Sequence, residues 1–142
     1  MPIEGSCYCG AVKLQVSAAL RPPINCHCGQ CRSLSGSAFT TWITIKRSEA
    51  QVVGEDMIAS FCATPNVERY FCKRCGTHVY TQDKRMLSVY GIPAGLLRGE
   101  DVLPPRADYY VSDKATWYTL AQGSRCFSGG TGTEPMESTT AR

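Results

Sequence analysis

Hydrophobic and polar residues alternate over short distances along this chain. Val12, Leu14 and Val16 fall on one side of an extended backbone while Ala11, Lys13 and Gln15 fall on the other, the pattern of a half-buried strand. "AFTTWITI" places Phe39, Ile43 and Ile45 on one face, and β-branched or aromatic residues recur in "VERYF", "THVYT" and "MLSVY". Glycine or proline interrupts the pattern at Pro22-Pro23, Gly54, Pro65, Gly76, Gly91 to Gly99 and Pro104-Pro105, so no long stretch keeps a helical period. The pattern predicts a mainly β fold of short antiparallel strands. It also predicts a helical turn after Cys31 and another over Ala94 to Leu97.

From Gly123 to Arg142, eleven of twenty residues are Gly, Ser or Thr, too few apolar groups to offset the entropy of ordering them. The expected organisation is one domain over residues 1–122 and a tail over 123–142. The tail is expected to lie against its own domain or against a neighbouring subunit, which keeps a homo-oligomer among the expected partners. At 142 residues one core is the default, and no segment approaches the ~20 apolar residues of a membrane helix. The start, "MPIEGSCYCG", has neither the basic residues nor the apolar run of a secretory signal, so a soluble protein of the reducing cytoplasm is expected.

Nine cysteines change this picture. Seven form three tight groups: Cys7 and Cys9 as C-x-C, Cys26, Cys28 and Cys31 as C-x-C-x2-C, and Cys72 and Cys75 as C-x2-C. Neighbours this close rarely form structural disulfides with each other but suit chelation of one ion by two or three sulfurs. The formal charge of +3 counts every thiol as neutral; seven thiolates around two zinc ions bring the holoprotein close to zero. With no dense Lys/Arg run, nucleic acid is not an expected partner.

"CYCG" and "CKRCG" both end in Cys-Gly, where the backbone can turn tightly around a metal-bound sulfur, so they read as zinc knuckles. Together they supply Cys7, Cys9, Cys72 and Cys75, a closed tetrahedral set that fits a structural zinc. Cys26, Cys28 and Cys31 have no other clustered cysteine to complete them, and an open position marks a catalytic zinc. Two alternatives remain at this point. His27, His78, Cys62 or Cys126 closes the second set, or one metal is shared among all three groups. An open three-thiolate zinc matches a soft fourth ligand, so the gap suits a substrate thiol held as a nucleophilic thiolate. Arg32, directly after the last ligand, is the nearest cation to the set, and a solvated or acid-paired arginine is its plainer reading. Phe39 and Trp42 read as core or pocket wall, Trp117 as an anchor of the chain end, and Tyr80 and Tyr90 as candidate proton donors. Cys62 reads as a small buried strand residue and Cys126 as a free thiol in the tail.

The segments "GSCYCGAV", "CHCGQCRSLSGSAF", "RYFCKRCGTHVY" and "YVSDKATWY" resemble the glutathione-dependent formaldehyde-activating enzymes, a family that shares a zinc-bearing β-tent fold with centromere protein V. The resemblance covers about the first 120 residues. It implies a structural zinc on Cys7, Cys9, Cys72 and Cys75 and a catalytic zinc on Cys26, Cys28 and Cys31, two ions per chain. It also implies a carbon-sulfur lyase that reversibly joins glutathione and formaldehyde. The chain departs from the family pattern at Asp108, where many members carry a histidine. The rival readings are a non-catalytic, zinc-stabilised binding or scaffold module, and a redox switch in which oxidation of the three-thiol loop ejects the metal.

Overall fold

A computed structural model describes residues 2–99, 101–129 and 131–136. The end of the expected tail, 137–142, lies outside the described residues. The strands are β1 (Ile3–Ser6), β2 (Lys13–Val16), β3 (Ile24–Cys26), β4 (Thr40–Lys46), β5 (Ala50–Val53), β6 (Ile58–Cys62), β7 (Val67–Cys72), β8 (His78–Asp83), β9 (Val89–Pro93), β10 (Ala107–Tyr109), β11 (Phe127–Ser128) and β12 (Glu134–Pro135). The one α-helix among the described residues, α1, spans Gly29–Ser35. The chain divides into two compact units, residues 1–21 with 43–103 and residues 22–42 with 104–142.

In the first unit β1, β2 and β5 form an antiparallel sheet, in which Leu14 lies opposite Gly5 on one side and Val52 on the other. The predicted alternation is observed: Val12, Leu14 and Val16 are fully buried. A second sheet continues from the end of β4 through β9, β8 and β7 to β6 at its edge. Ile43, Ile45, Val79 and Ile92 from this sheet join Val12, Leu14 and Val16 in one core. Burial of each such side chain is worth about 2 kcal/mol. Tyr70, Tyr80 and Tyr90 stack in series, with centroids 4.4 and 4.5 Å apart, and pack with the same core. The predicted turn over Ala94 to Leu97 is a 3-10 turn at Ala94–Leu96.

In the second unit β3 pairs antiparallel with the start of β4 and parallel with β10. Helix α1 departs from the expected turn after Cys31. It begins at Gly29, immediately after Cys28, whose sulfur accepts the Cys31 amide at 3.3 Å as an N-cap, so Cys31 lies on the helix itself. Gly36 closes it in the left-handed conformation, φ 64°, donating its amide to the Arg32 carbonyl. Beyond Gly123 the chain adds the β11–β12 hairpin, and Cys126 is buried with Val111 and Leu120. Cys62 corrects its expectation, since it is exposed at the end of edge strand β6. Among the described residues no helix is long and apolar enough to cross a membrane.

Candidate functional site

The seven clustered sulfurs separate into two sets, each with all its sulfurs within 4.8 Å of one another: Cys7, Cys9, Cys72 and Cys75 in the first unit, and Cys26, Cys28 and Cys31 in the second. All nine cysteines are free thiols.

The four-sulfur set grows from two tight turns. The Cys7 carbonyl accepts the Gly10 amide and the Cys72 carbonyl accepts the Gly76 amide, at 3.1 and 2.7 Å, and both glycines have positive φ. Cys7 Sγ lies 3.6 Å from Cys9 Sγ, which lies 3.8 Å from Cys72 Sγ. Four sulfurs placed tetrahedrally at about 2.3 Å from a zinc ion are about 3.8 Å apart, so the set fits that ion. The electrostatics fit as well. Thr77 holds the Cys75 thiol down at about 5 through its hydroxyl, 3.1 Å from Cys75 Sγ, and its amide. Cys9 is raised to about 11: a bond from the Ala11 amide favours its thiolate, but burial and the neighbouring thiols outweigh it. Four thiols crowded together cannot all ionise without a cation to share. Thr77 also ties the two turns together, accepting the Tyr8 amide at 3.1 Å.

The three-sulfur set sits where β3 ends and α1 begins. The Cys26 thiol is pushed up first by its bonds with Cys28 and Cys31 and then by burial. Cys28 is also raised, because Cys31 and burial outweigh a bond from Cys26 that acts the other way. These thiols retain their protons unless a cation displaces them. Polar hydrogens already point at two of the sulfurs: the Cys31 amide at Cys28, and the Trp42 indole Nε1–H at Cys31, 3.4 Å away. The sequence marks Trp42 as core or pocket wall; its indole hydrogen bond to a sulfur depends on the register of β4 against β3, with Trp42 opposite Ile24.

Neither histidine joins a cysteine set. His27, fully buried, lies with Nε2 2.7 Å from Asp108 Oδ1, so the imidazole N–H donates to the carboxylate. Its ring packs between Phe39 and Tyr118, 5.0 and 5.9 Å away. Among the described residues its Nδ1 is buried without a hydrogen-bond partner. Asp108 also accepts from Asn25 Nδ2 at 3.2 Å and from the Ser124 hydroxyl. Burial opposes charge on Asp108, but the bonds from His27, Ser124 and Asn25 outweigh it and hold the carboxyl below its ordinary range. His78 bonds Thr81 Oγ1 at 2.9 Å, as expected of a strand histidine.

Tyr80 and Tyr90, the candidate proton donors, belong to the aromatic stack of the first unit, and Tyr110 belongs to the unit that carries the three-sulfur set. Burial, then the charges of Cys26, Cys28 and Cys31, push the Tyr110 phenol up, so it keeps its proton near neutral pH. Tyr110 adopts φ 57°, a left-handed conformation unusual for a non-glycine residue, and its amide donates to the Gly132 carbonyl at 2.9 Å. Nothing in the local sequence announces this strain. Trp117, expected to anchor the chain end, is 70% exposed. Arg32 meets a backbone carbonyl rather than a carboxylate, donating Nη1 to Asp113 O at 3.0 Å.

The fold and the site are those of a small, mainly β protein with two cysteine sets, of four and three sulfurs, each of which could hold a metal ion. Residues 2–113 match the model of the glutathione-dependent formaldehyde-activating enzyme family, and the chain belongs to that family. It is 30% identical over 128 residues to an uncharacterized lyase of Schizosaccharomyces pombe, covering 88% of this chain and 90% of that protein. A Halomonas elongata protein provisionally named a glutathione-dependent formaldehyde-activating enzyme is 29% identical over 143 residues, covering 91% and 88%. A crystal structure of a Rhodobacter sphaeroides protein superposes with a TM-score of 0.55 at 26% identity, covering 68% of this chain and 89% of that one.

Proposed function

We propose that this protein is a zinc-dependent carbon-sulfur lyase that reversibly joins glutathione and formaldehyde. One zinc is held by Cys7, Cys9, Cys72 and Cys75, and a second by Cys26, Cys28 and Cys31. The observation that carries this reading is the incomplete set: among the described residues no fourth sulfur, imidazole or carboxylate shares the 4.8 Å reach of Cys26, Cys28 and Cys31. When bound there, zinc supplies a soft acceptor for one further thiol and lowers its pKa without quenching its nucleophilicity.

The chain's own groups do the rest. The Cys31 amide and the Trp42 indole N–H direct the sulfurs of Cys28 and Cys31 and offset part of their charge. With the substrate thiolate oriented, its sulfur attacks the carbonyl carbon, a carbon–sulfur bond forms, and the carbonyl π pair moves to oxygen. Tyr110 is the proposed donor of the proton to that oxygen, and the proton released by the incoming thiol restores the phenol. The reverse sequence releases aldehyde and thiol. Residues 1–122 are the proposed two-zinc domain and residues 123–142 an appended segment, and free thiols throughout fit a cytoplasmic location.

Cys28→Ser tests the reading. The variant is expected to fold with about one zinc per chain and to lose the rate gain over the uncatalysed reaction. Unchanged kinetics in folded Cys28→Ser would remove the three-sulfur set from the chemistry.

A further inference from the structure

Cys26, Cys28 and Cys31 form a set that offers sulfur alone: their three Sγ atoms lie within 4.8 Å of one another, and among the described residues no imidazole or carboxylate shares that reach. The backbone that carries them is held before anything binds. Cys26 pairs with Tyr109 on one side and Thr40 on the other. The His27 amide donates to the Tyr109 carbonyl at 2.9 Å and the Arg32 amide to the Cys28 carbonyl at 3.0 Å. The Cys31 carbonyl accepts from the Ser35 and Thr40 hydroxyls at 2.7 and 3.1 Å. An ion that closes this set therefore meets sulfurs that folding has already gathered, so little ordering entropy is left to lose. Cys26 and Cys31 are buried, while Cys28 is only half-buried and leaves a way in. Charge then separates the ions that suit such a place. Three thiolates around a divalent ion carry a net charge of −1 and leave a tetrahedral shell unfinished. Around a trivalent ion that takes three pyramidal bonds, they give a neutral and finished shell, which costs less to bury.

We propose that the three-sulfur set is also a site for trivalent arsenic, taken up as arsenous acid, which displaces the second zinc and blocks the position offered to a substrate thiol. Three As–S bonds form and three As–O bonds break. The hydroxyls leave as water, with their protons supplied by the thiols or, where zinc is displaced from thiolates, by solvent. Arsenic stays trivalent, so neither oxidant nor reductant enters. The four-sulfur set is the poorer host, because a three-bonded ion leaves one of its thiols without a share and zinc completes its shell there. The inference rests on the same incomplete set as the lyase reading but requires no turnover.

The test titrates the full, zinc-loaded chain, desalted free of small thiols, with sodium arsenite, and counts arsenic and zinc in the protein by elemental mass spectrometry. Wild type is expected to bind one arsenic per chain, release one zinc and retain the other. Cys62→Ser, which removes a lone exposed thiol, should behave as wild type. Cys28→Ser leaves two sulfurs and should bind arsenite about a hundredfold or more weakly, since the third bond is the one made at high effective concentration. Arsenic lost on desalting, release of both zincs together, or a Cys28→Ser affinity within twofold of wild type overturns the proposal. If Cys28→Ser does not fold, peptide mapping of wild type decides: with EDTA present, bound arsenic should protect Cys26, Cys28 and Cys31 from iodoacetamide while Cys62 reacts, and alkylation of all three overturns the site. One arsenic on the three sulfurs of a protein that gives no rate gain with glutathione and formaldehyde leaves the arsenic site standing and removes the lyase reading. A rate gain that survives stoichiometric arsenite gives the converse.

Discussion

Replacing Asp108 by asparagine removes one negative charge from the buried polar centre of the second unit and changes little else in shape. Asp108 is 5% exposed and accepts hydrogen bonds from His27 at 2.7 Å and Asn25 at 3.2 Å, both on one oxygen, and from Ser124 on the other. An amide oxygen can still accept from His27 and Asn25, but without the charge that makes such bonds worth roughly 1.5–3 kcal/mol in place of about 1. Two bonds weakened in this way cost about 2–3 kcal/mol, a sizeable share of the roughly 5–15 kcal/mol that holds a domain folded. Asp108→Ala, which leaves the donors without an acceptor, costs about 3–5 kcal/mol. Urea unfolding of zinc-saturated protein at pH 7, followed by circular dichroism, measures both. The pH dependence separates charge from shape. The folded carboxyl titrates below its ordinary range, while the unfolded one titrates near about 3.9. The charge-dependent stabilisation is therefore complete above about pH 4 and disappears as the pH falls through the lower folded value. The gap between wild type and Asp108→Asn should be full at pH 7 and close below pH 4. A variant within about 0.5 kcal/mol of wild type at pH 7, or a gap that does not narrow in acid, would refute the role assigned to this carboxylate.

Thr77→Val removes the hydroxyl that bonds both the Cys75 sulfur and the Tyr8 amide, so the four-sulfur set should lose about tenfold to a hundredfold in zinc affinity. Competition with a chromogenic chelator reads this directly, and unchanged affinity would show that the hydroxyl does not tune the set. Gly54→Ala puts a Cβ 2.2 Å from the Ala11 carbonyl oxygen on a backbone at φ 89°. Strain and clash together should cost about 3 kcal/mol or more in urea unfolding, and a tolerated alanine would mean that the approach of Gly54 to the Ala11–Val12 backbone is not close.

The gathering of the cysteines was readable from spacing because closeness across C-x-C and C-x2-C is a local property. Two sulfurs that close in sequence come together in many backbone conformations, so the sets {Cys7, Cys9, Cys72, Cys75} and {Cys26, Cys28, Cys31} gather as expected. Local period was equally informative for Val12, Leu14 and Val16, where alternation and burial coincide. Local information misled where burial depends on position in a sheet. Cys62 has a strand neighbourhood in the sequence, yet β6 is an edge, and its side chain meets solvent. Strand pairing, which no local pattern announces, brings Tyr70, Tyr80 and Tyr90 together in one aromatic series.

The sequence by itself determined that seven thiols would gather into groups suited to holding a metal ion on a framework of short strands, because chelate spacing and strand alternation are written over a few consecutive residues. Tertiary structure alone decided what surrounds those thiols. His27 meets Asp108 across 81 residues, the Trp42 indole reaches Cys31 across 11, and Tyr110 is bent into a left-handed turn against Gly132. Each of these depends on strand register and loop path, where a shift of one residue turns every side chain to the opposite face, and no short stretch of sequence carries that information.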